Sequence, residues 1–166
     1  MFSTINDFLE AWKHESEATL KVFNNLTDES FNQKVTPDGR SIQQLSWHIT
    51  LACVEMLRDG KLIEIIPEEF SSEPNTVKAF IFKYEKASSL VKEIIAANWT
   101  DQSLPEELPI YGDVWKKGSF LSSLIVHQAH HRGQMTVLMR QAGLKVPGVY
   151  GPSKEEWAEY GMPTQE

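Results

Sequence analysis

With 166 residues and 41% hydrophobic content, the chain is the size of one globular domain, 1–166, with core enough to fold without a covalent staple. Its net charge of −7, from 23 acidic against 16 basic residues, argues against phosphate-backbone binding, so nucleic acid is not an expected partner. The single cysteine, Cys53, excludes an intramolecular disulfide. No apolar run approaches the roughly 18 residues of a membrane span, and the start Met1–Asp7 lacks a secretory pattern, so the expected location is the cytoplasm.

The first predicted helix runs from about Thr4 to Asn25, with Ser3 as N-cap and Ile5, Leu9, Trp12, Ser16, Thr19 and Phe23 along one face. Within it, His14-Glu15 opens like the helical zincin motif, but Ala18 stands where the second histidine would be. Thr36-Pro37-Asp38-Gly39 reads as a turn. A second helix starts at Ser41, in a capping box with Gln44, and stops near Gly60. His48 borders its apolar stripe, whereas Cys53, about 140° further round, is a poor co-ligand and reads as a small apolar residue. Pro74 suits the start of a third helix, which Val77, Tyr84, Ser88, Val91 and Ile95 carry to about Asn98.

Trp99 to Lys117, with Pro105, Pro109 and Gly112, reads as an irregular crossover without strands. The fourth helix begins near Ser119 and stops at Gly143, a residue suited to a left-handed cap. In the tail, Ser153 and Glu156 form another capping-box pattern, predicting a short helix to about Tyr160, with Tyr150 and Trp157 docked over the bundle end. The expected fold is all-α: a four-helix bundle with long crossover connections and a short C-terminal helix.

The fourth helix holds the segment with most chemical content, His127-Gln128-Ala129-His130-His131-Arg132-Gly133-Gln134. Residues four apart lie one turn apart on the same helix face, so His127 and His131 can grip one ion. Both fall on the stripe Phe120, Leu124, His127, His131, Met135, Leu138, where an imidazole is costly unless its nitrogens find partners. His48 is the third candidate ligand. His130 sits about 100° from His131 and is expected beside the site or on the surface. Gln134, three residues past His131, can orient a ligand or a bound water. Arg132 reads as an anion clamp or an exposed or dimer-facing ion pair. Gln44 and Glu55 read as ordinary capping and surface groups.

At His127-x-x-x-His131-Arg132-Gly133-Gln134, with His48 inside Leu45-Ser46-Trp47-His48-Ile49, the sequence resembles the DinB superfamily of metal-binding four-helix bundles. Arg140-Gln141-Ala142-Gly143 and Val146-Pro147-Gly148-Val149-Tyr150-Gly151-Pro152 look like its close members too, and the likeness spans nearly the whole chain. The resemblance implies one divalent metal ion held by His48, His127 and His131, with water in the remaining positions, and a homodimer. The superfamily includes thiol S-transferases, a thiol-dependent isomerase and metal-dependent hydrolases.

Three neutral imidazoles leave an ion such as zinc with open coordination, the arrangement of catalytic rather than structural sites; imidazole also accepts nickel, iron or copper, with zinc or nickel the leading expectation. Such an ion can lower the pKa of bound water to about 7, or hold a low-molecular-weight thiol as thiolate. The ligands do not choose between the two. Thiol S-transfer on a small molecule is the leading expectation, and it rests on the resemblance. Hydrolysis is the alternative. A stress-associated protein that holds its metal without turnover, or a bundle whose histidines bind none, are the non-enzymatic ones.

Overall fold

Helices form where an N-cap, an apolar periodicity and a stop signal coincide: α1 (Ile5–Phe23), α2 (Ile42–Asp59), α3 (Val77–Asn98) and α4 (Lys117–Gln141). The computed structural model describes residues 2–163. α2 begins as predicted, with the Ser41 hydroxyl accepting from Gln44 N–H and the Gln44 side chain accepting from Ser41 N–H. α1 is capped by Thr4 rather than Ser3, because Thr4 has an acid three residues on and so forms a reciprocal pair with Asp7. α3 starts at Val77, after Pro74, because Thr76 accepts from Ala79 N–H and Asp28 accepts from Val77 N–H at 2.7 Å. Gly143, at φ +72°, takes the left-handed conformation expected just past α4.

The helices touch as a ring, α1 with α3, α3 with α2, α2 with α4 and α4 with α1. α1 and α2 therefore face each other diagonally, as do α3 and α4. Phe8, Trp12, Phe23, Ile49, Tyr84 and Leu124 are among the side chains sealed between them, each contributing about 1.5–3 kcal/mol of burial. On α1 the buried face is turned from the predicted one: Phe8, Glu15 and Val22 are inside, while Leu9 and Ser16 lie half-buried.

The fold is not purely helical. Segment 107–116 forms an antiparallel hairpin of β1 (Glu107–Ile110) and β2 (Asp113–Lys116), which pairs Leu108 with Trp115 and Pro109 with Val114. Its loop is Tyr111-Gly112, with φ of 54° and 78°, the doubly positive pair of a type I′ turn. Pro109 lacks an N–H and normally argues against a strand, but a two-stranded ribbon is all edge and tolerates it. The hairpin fills part of the connection 99–116 and leads directly into α4 through Lys117 N–H to Glu106 O, 3.0 Å. The connections 24–41 and 60–76 hold only short 3-10 turns, Asp28–Asn32 and Glu68–Phe70.

After α4 the tail runs back over the bundle. Lys21 Nζ donates to Gly148 O at 2.7 Å, and Arg140 pairs with Glu155. Glu156 accepts from Gly148 N–H and Ser153 N–H, but the Ser153 hydroxyl has no partner, so only half of the expected capping box forms. The tail accordingly closes in a 3-10 turn, Trp157–Tyr160, in place of an α-helix. No helix among the described residues is long and apolar enough to cross a membrane.

Candidate metal centre

The four-residue step on α4 brings the rings of His127 and His131 to 4.5 Å between centroids, and α2 places His48 5.0 Å from the first and 4.3 Å from the second. His48 Nε2 and His131 Nε2 face each other at 3.0 Å. One nitrogen from each of the three residues lies within 4.8 Å of the other two. Nitrogens sharing one zinc-sized ion tetrahedrally would be about 3.3 Å apart, so only small ring movements separate this cluster from a ligand set. His127 Nδ1 is buried without any hydrogen-bond partner, an omission a protein rarely tolerates unless something else satisfies the atom. The cluster could hold a metal ion.

The second partners of the rings are also in place. Gln134 Oε1 lies 2.9 Å from His131 Nδ1, which assigns the proton to Nδ1 and leaves the Nε2 lone pair aimed at the cluster. The other end of the same amide, Nε2, lies 3.1 Å from His130 Nε2. His130 is exposed and stands beside the cluster, touching His131 ring to ring at 4.7 Å. Burial, reinforced by the positive potential of His131 and Arg40, pushes His48 down to about 4. His127 is held at about 4 by burial together with His131, His130 and Arg40. Burial lowers His131 as well, against the raising effect of Gln134. Neutral imidazoles with free lone pairs are the form that binds a cation.

Two clefts meet at His127, separated by Trp115 of the hairpin. One, of 450 Å³, is bounded by His48, Glu55, Asp59, Tyr111 and Trp115. Glu55 is therefore more than a surface group: it shares a cleft with two of the histidines. The larger, of 880 Å³, lies between β2 and the start of α4, with Ser119, Ser122 and Ser123 on its floor. Trp115 has no counterpart among the residues singled out from sequence, because the hairpin that positions it reads there as irregular chain. The Tyr111-Gly112 pair between two apolar pieces is the available signal.

Arg132 is neither an anion clamp nor an exposed pair. It is buried at 3% exposure against Glu15 at 2%, where Nη1 donates to the Glu15 carboxylate and, at 3.1 Å, to Thr19 Oγ1. The Tyr150 hydroxyl donates to the other Glu15 oxygen, and the guanidinium sits 5.2 Å over the Tyr150 ring. Gln128 is likewise internal: its amide nitrogen donates to Ile49 O at 2.9 Å, and its oxygen accepts from Tyr84 OH at 3.1 Å. Cys53 packs beside it, with burial pushing its thiol up to about 12.

A bundle of four helices with a three-histidine cluster between two of them, beside paired clefts, defines a class of helical protein whose histidines could hold a metal ion. Comparison with known proteins makes the assignment specific. The family model described as DinB family matches residues 1–166, and the chain belongs to that family. A Bacillus subtilis (strain 168) protein, YrdA, is 42% identical over 162 residues, 98% of this chain and 97% of the relative. The crystal structure of a DinB-like protein from Bacillus cereus ATCC 10987 superposes with a TM-score of 0.82 at 39% identity, covering 90% of this chain and all of that one (100%). A DinB-like protein of Bacillus subtilis, at 14% identity and a TM-score of 0.70 over 89% of this chain and 99% of its own, shares the fold.

Proposed function

We propose that the protein binds one divalent cation, zinc or nickel, through His48, His127 and His131, and that it is an enzyme of small molecules whose reaction is thiol S-transfer. The observation that carries this reading is the setting of the cluster: three imidazoles together, of which His127 lines two clefts and His48 one, with a buried His127 nitrogen left without a partner. Structural sites are closed by protein ligands on all sides, whereas reactive ones keep a position open. An ion held there supplies Lewis acidity toward a water or a thiol. The protein's own groups do the rest. Gln134 orients His131, and the low basicity of His48 and His127 keeps both free of protons at neutral pH. The chain brings no nucleophilic sulfur of its own, because Cys53 is buried with its thiol at about 12, so the thiol must arrive as a second small molecule. The assembly proposed is a homodimer.

Hydrolysis is the second reading, and Glu55 favours it: a carboxylate in the same cleft as His48 and His127 is placed to take a proton from an attacking water. Metal content by mass spectrometry on tag-free protein tests the shared premise. About one ion per chain, lost in His48→Ala and in His131→Ala, is expected for a three-imidazole site. No ion after incubation with Zn²⁺ and Ni²⁺ overturns it. Cobalt substitution then separates the reactions: a thiol that shifts the Co²⁺ absorption supports S-transfer, and ester turnover abolished by Glu55→Gln without such a shift supports hydrolysis. A Co²⁺ spectrum indifferent to thiol, with no turnover, leaves a protein that only holds its metal.

A further inference from the structure

The larger cleft has a composition at odds with the chain around it. The protein carries 23 acidic residues, yet none lines this groove, whose charged side chain is Lys116. Across Trp115 the smaller cleft is different: it contains Glu55 and Asp59, the latter ion-paired with Arg58. The walls of the larger groove are apolar and come from two different elements: Val114 on β2 and Val126 on α4 are 56% and 64% exposed, with Trp115 half-buried between. Two aliphatic side chains left in water on one groove cost solvation that an apolar occupant would recover. At 880 Å³ the groove lies within the roughly 300–1,000 Å³ range of small-molecule sites and far exceeds what an ion and its waters need.

We propose that this groove binds a small amphipathic anion, an apolar body seated on Trp115, Val114 and Val126 with a negatively charged group answered by Lys116. As a substrate class for the adjoining histidines it rests on the metal-site reading above. As a binding site it stands on the groove alone, and it requires no metal. Flat or branched hydrocarbon fits the indole and valine walls, and a cationic analogue of the same shape would meet Lys116 with like charge.

The test uses the full chain with 8-anilinonaphthalene-1-sulfonate as fluorescent probe and octanoate and octylamine as competitors of equal chain length and opposite charge. A single saturable site is expected, displaced by octanoate and not by octylamine. Val126→Glu should bind the probe about tenfold or more weakly, the size of one lost apolar contact joined to a like-charge clash. Val137→Glu, at a valine 51% exposed on the same helix but in neither cleft, should bind as wild type. Lys116→Glu should reverse the order of the two competitors. Equal loss in both valine variants, or displacement by octylamine at least as good as by octanoate, overturns the proposal. So does a wild type that sediments as a dimer and excludes the probe while Val126→Glu is monomeric, since the groove then seats a second copy of the chain. Metal content measured on the same preparations keeps the two readings apart: metal retained with no probe site sinks the groove alone, and probe bound with no metal sinks the site alone.

Discussion

α4 carries two polar seams one residue out of step, and they are built on opposite terms. His127 lines both clefts with one nitrogen unpartnered, His131 stands beside it in the histidine cluster, and the basicity of both is suppressed. Gln128 and Arg132, the next residue in each case, face inward and bind the other three helices: Gln128 reaches Ile49 on α2 and, across the bundle, Tyr84 on α3, and Arg132 reaches Glu15 and Thr19 on α1. A helix turns about 100° per residue, so this one-residue offset is enough to move from a reactive edge to the bundle interior. Polar groups satisfied by the fold hold it together, and polar groups the fold leaves unsatisfied are available to something from outside. The inner seam also fixes the outer one, because it ties α4 to the turn of α2 next to His48.

The sharpest way to break the comparison is to strip one member of the inner seam. Glu15→Leu leaves the Arg132 guanidinium buried without its carboxylate and should cost about 3–5 kcal/mol in urea unfolding. The double variant Glu15→Leu/Arg132→Met should recover most of that loss, since the uncompensated charge is gone. The outer seam should respond in the other direction. His131→Ala is expected to change metal-free stability little, yet to abolish the stabilisation by added Zn²⁺, which for wild type reaches about 4 kcal/mol at a thousandfold excess over Kd. Thermal melts with and without metal check it.

Gln128→Leu sits between these extremes. It unpairs Ile49 O and Tyr84 OH, for about 1–3 kcal/mol. Gln134→Ala removes the partner of His131 Nδ1, together with the exposed contact to His130, and should weaken metal binding about 10–100-fold with the fold intact, measured by competition with a chelating dye. The smallest effect concerns Cys53. Its thiol is raised from 9.0 to about 12 in the folded chain, so the stability it contributes is complete below pH 9 and declines as pH rises toward 12. Cys53→Ala should flatten that alkaline decline relative to wild type, and native protein at pH 8 should resist thiol reagents until unfolded.

The residues that announce themselves locally are legible in the sequence. Ser41 with Gln44, Gly143, and the i, i+4 histidines obey rules that span a single turn of chain, and the structure places all of them as predicted. His48 is legible because its own helix is. Arg132 escapes such a reading because its meaning depends on Glu15, 117 residues away, and no local pattern marks a surface arginine from a buried one. The hairpin is hidden by Pro109, whose missing N–H weighs against a strand unless the strand is known to be an edge. Trp115 and the clefts it divides go with it. The apolar face of α1 falls one step away from Glu15 for the same reason: an acid is not assigned to a core until its cation is found.

The Glu15 cluster also bears on how the chain is made. Its carboxylate is made before the groups that satisfy it, Arg132 and the Tyr150 hydroxyl, which lie 117 and 135 residues downstream. Contacts so distant in sequence form only after the intervening chain has been closed into a loop, and they are slow for that reason. During synthesis α1 therefore has to wait, half-amphipathic and incomplete, until α4 and the tail appear. The bundle can lock only once the segment that carries Arg132 and Tyr150 has been made.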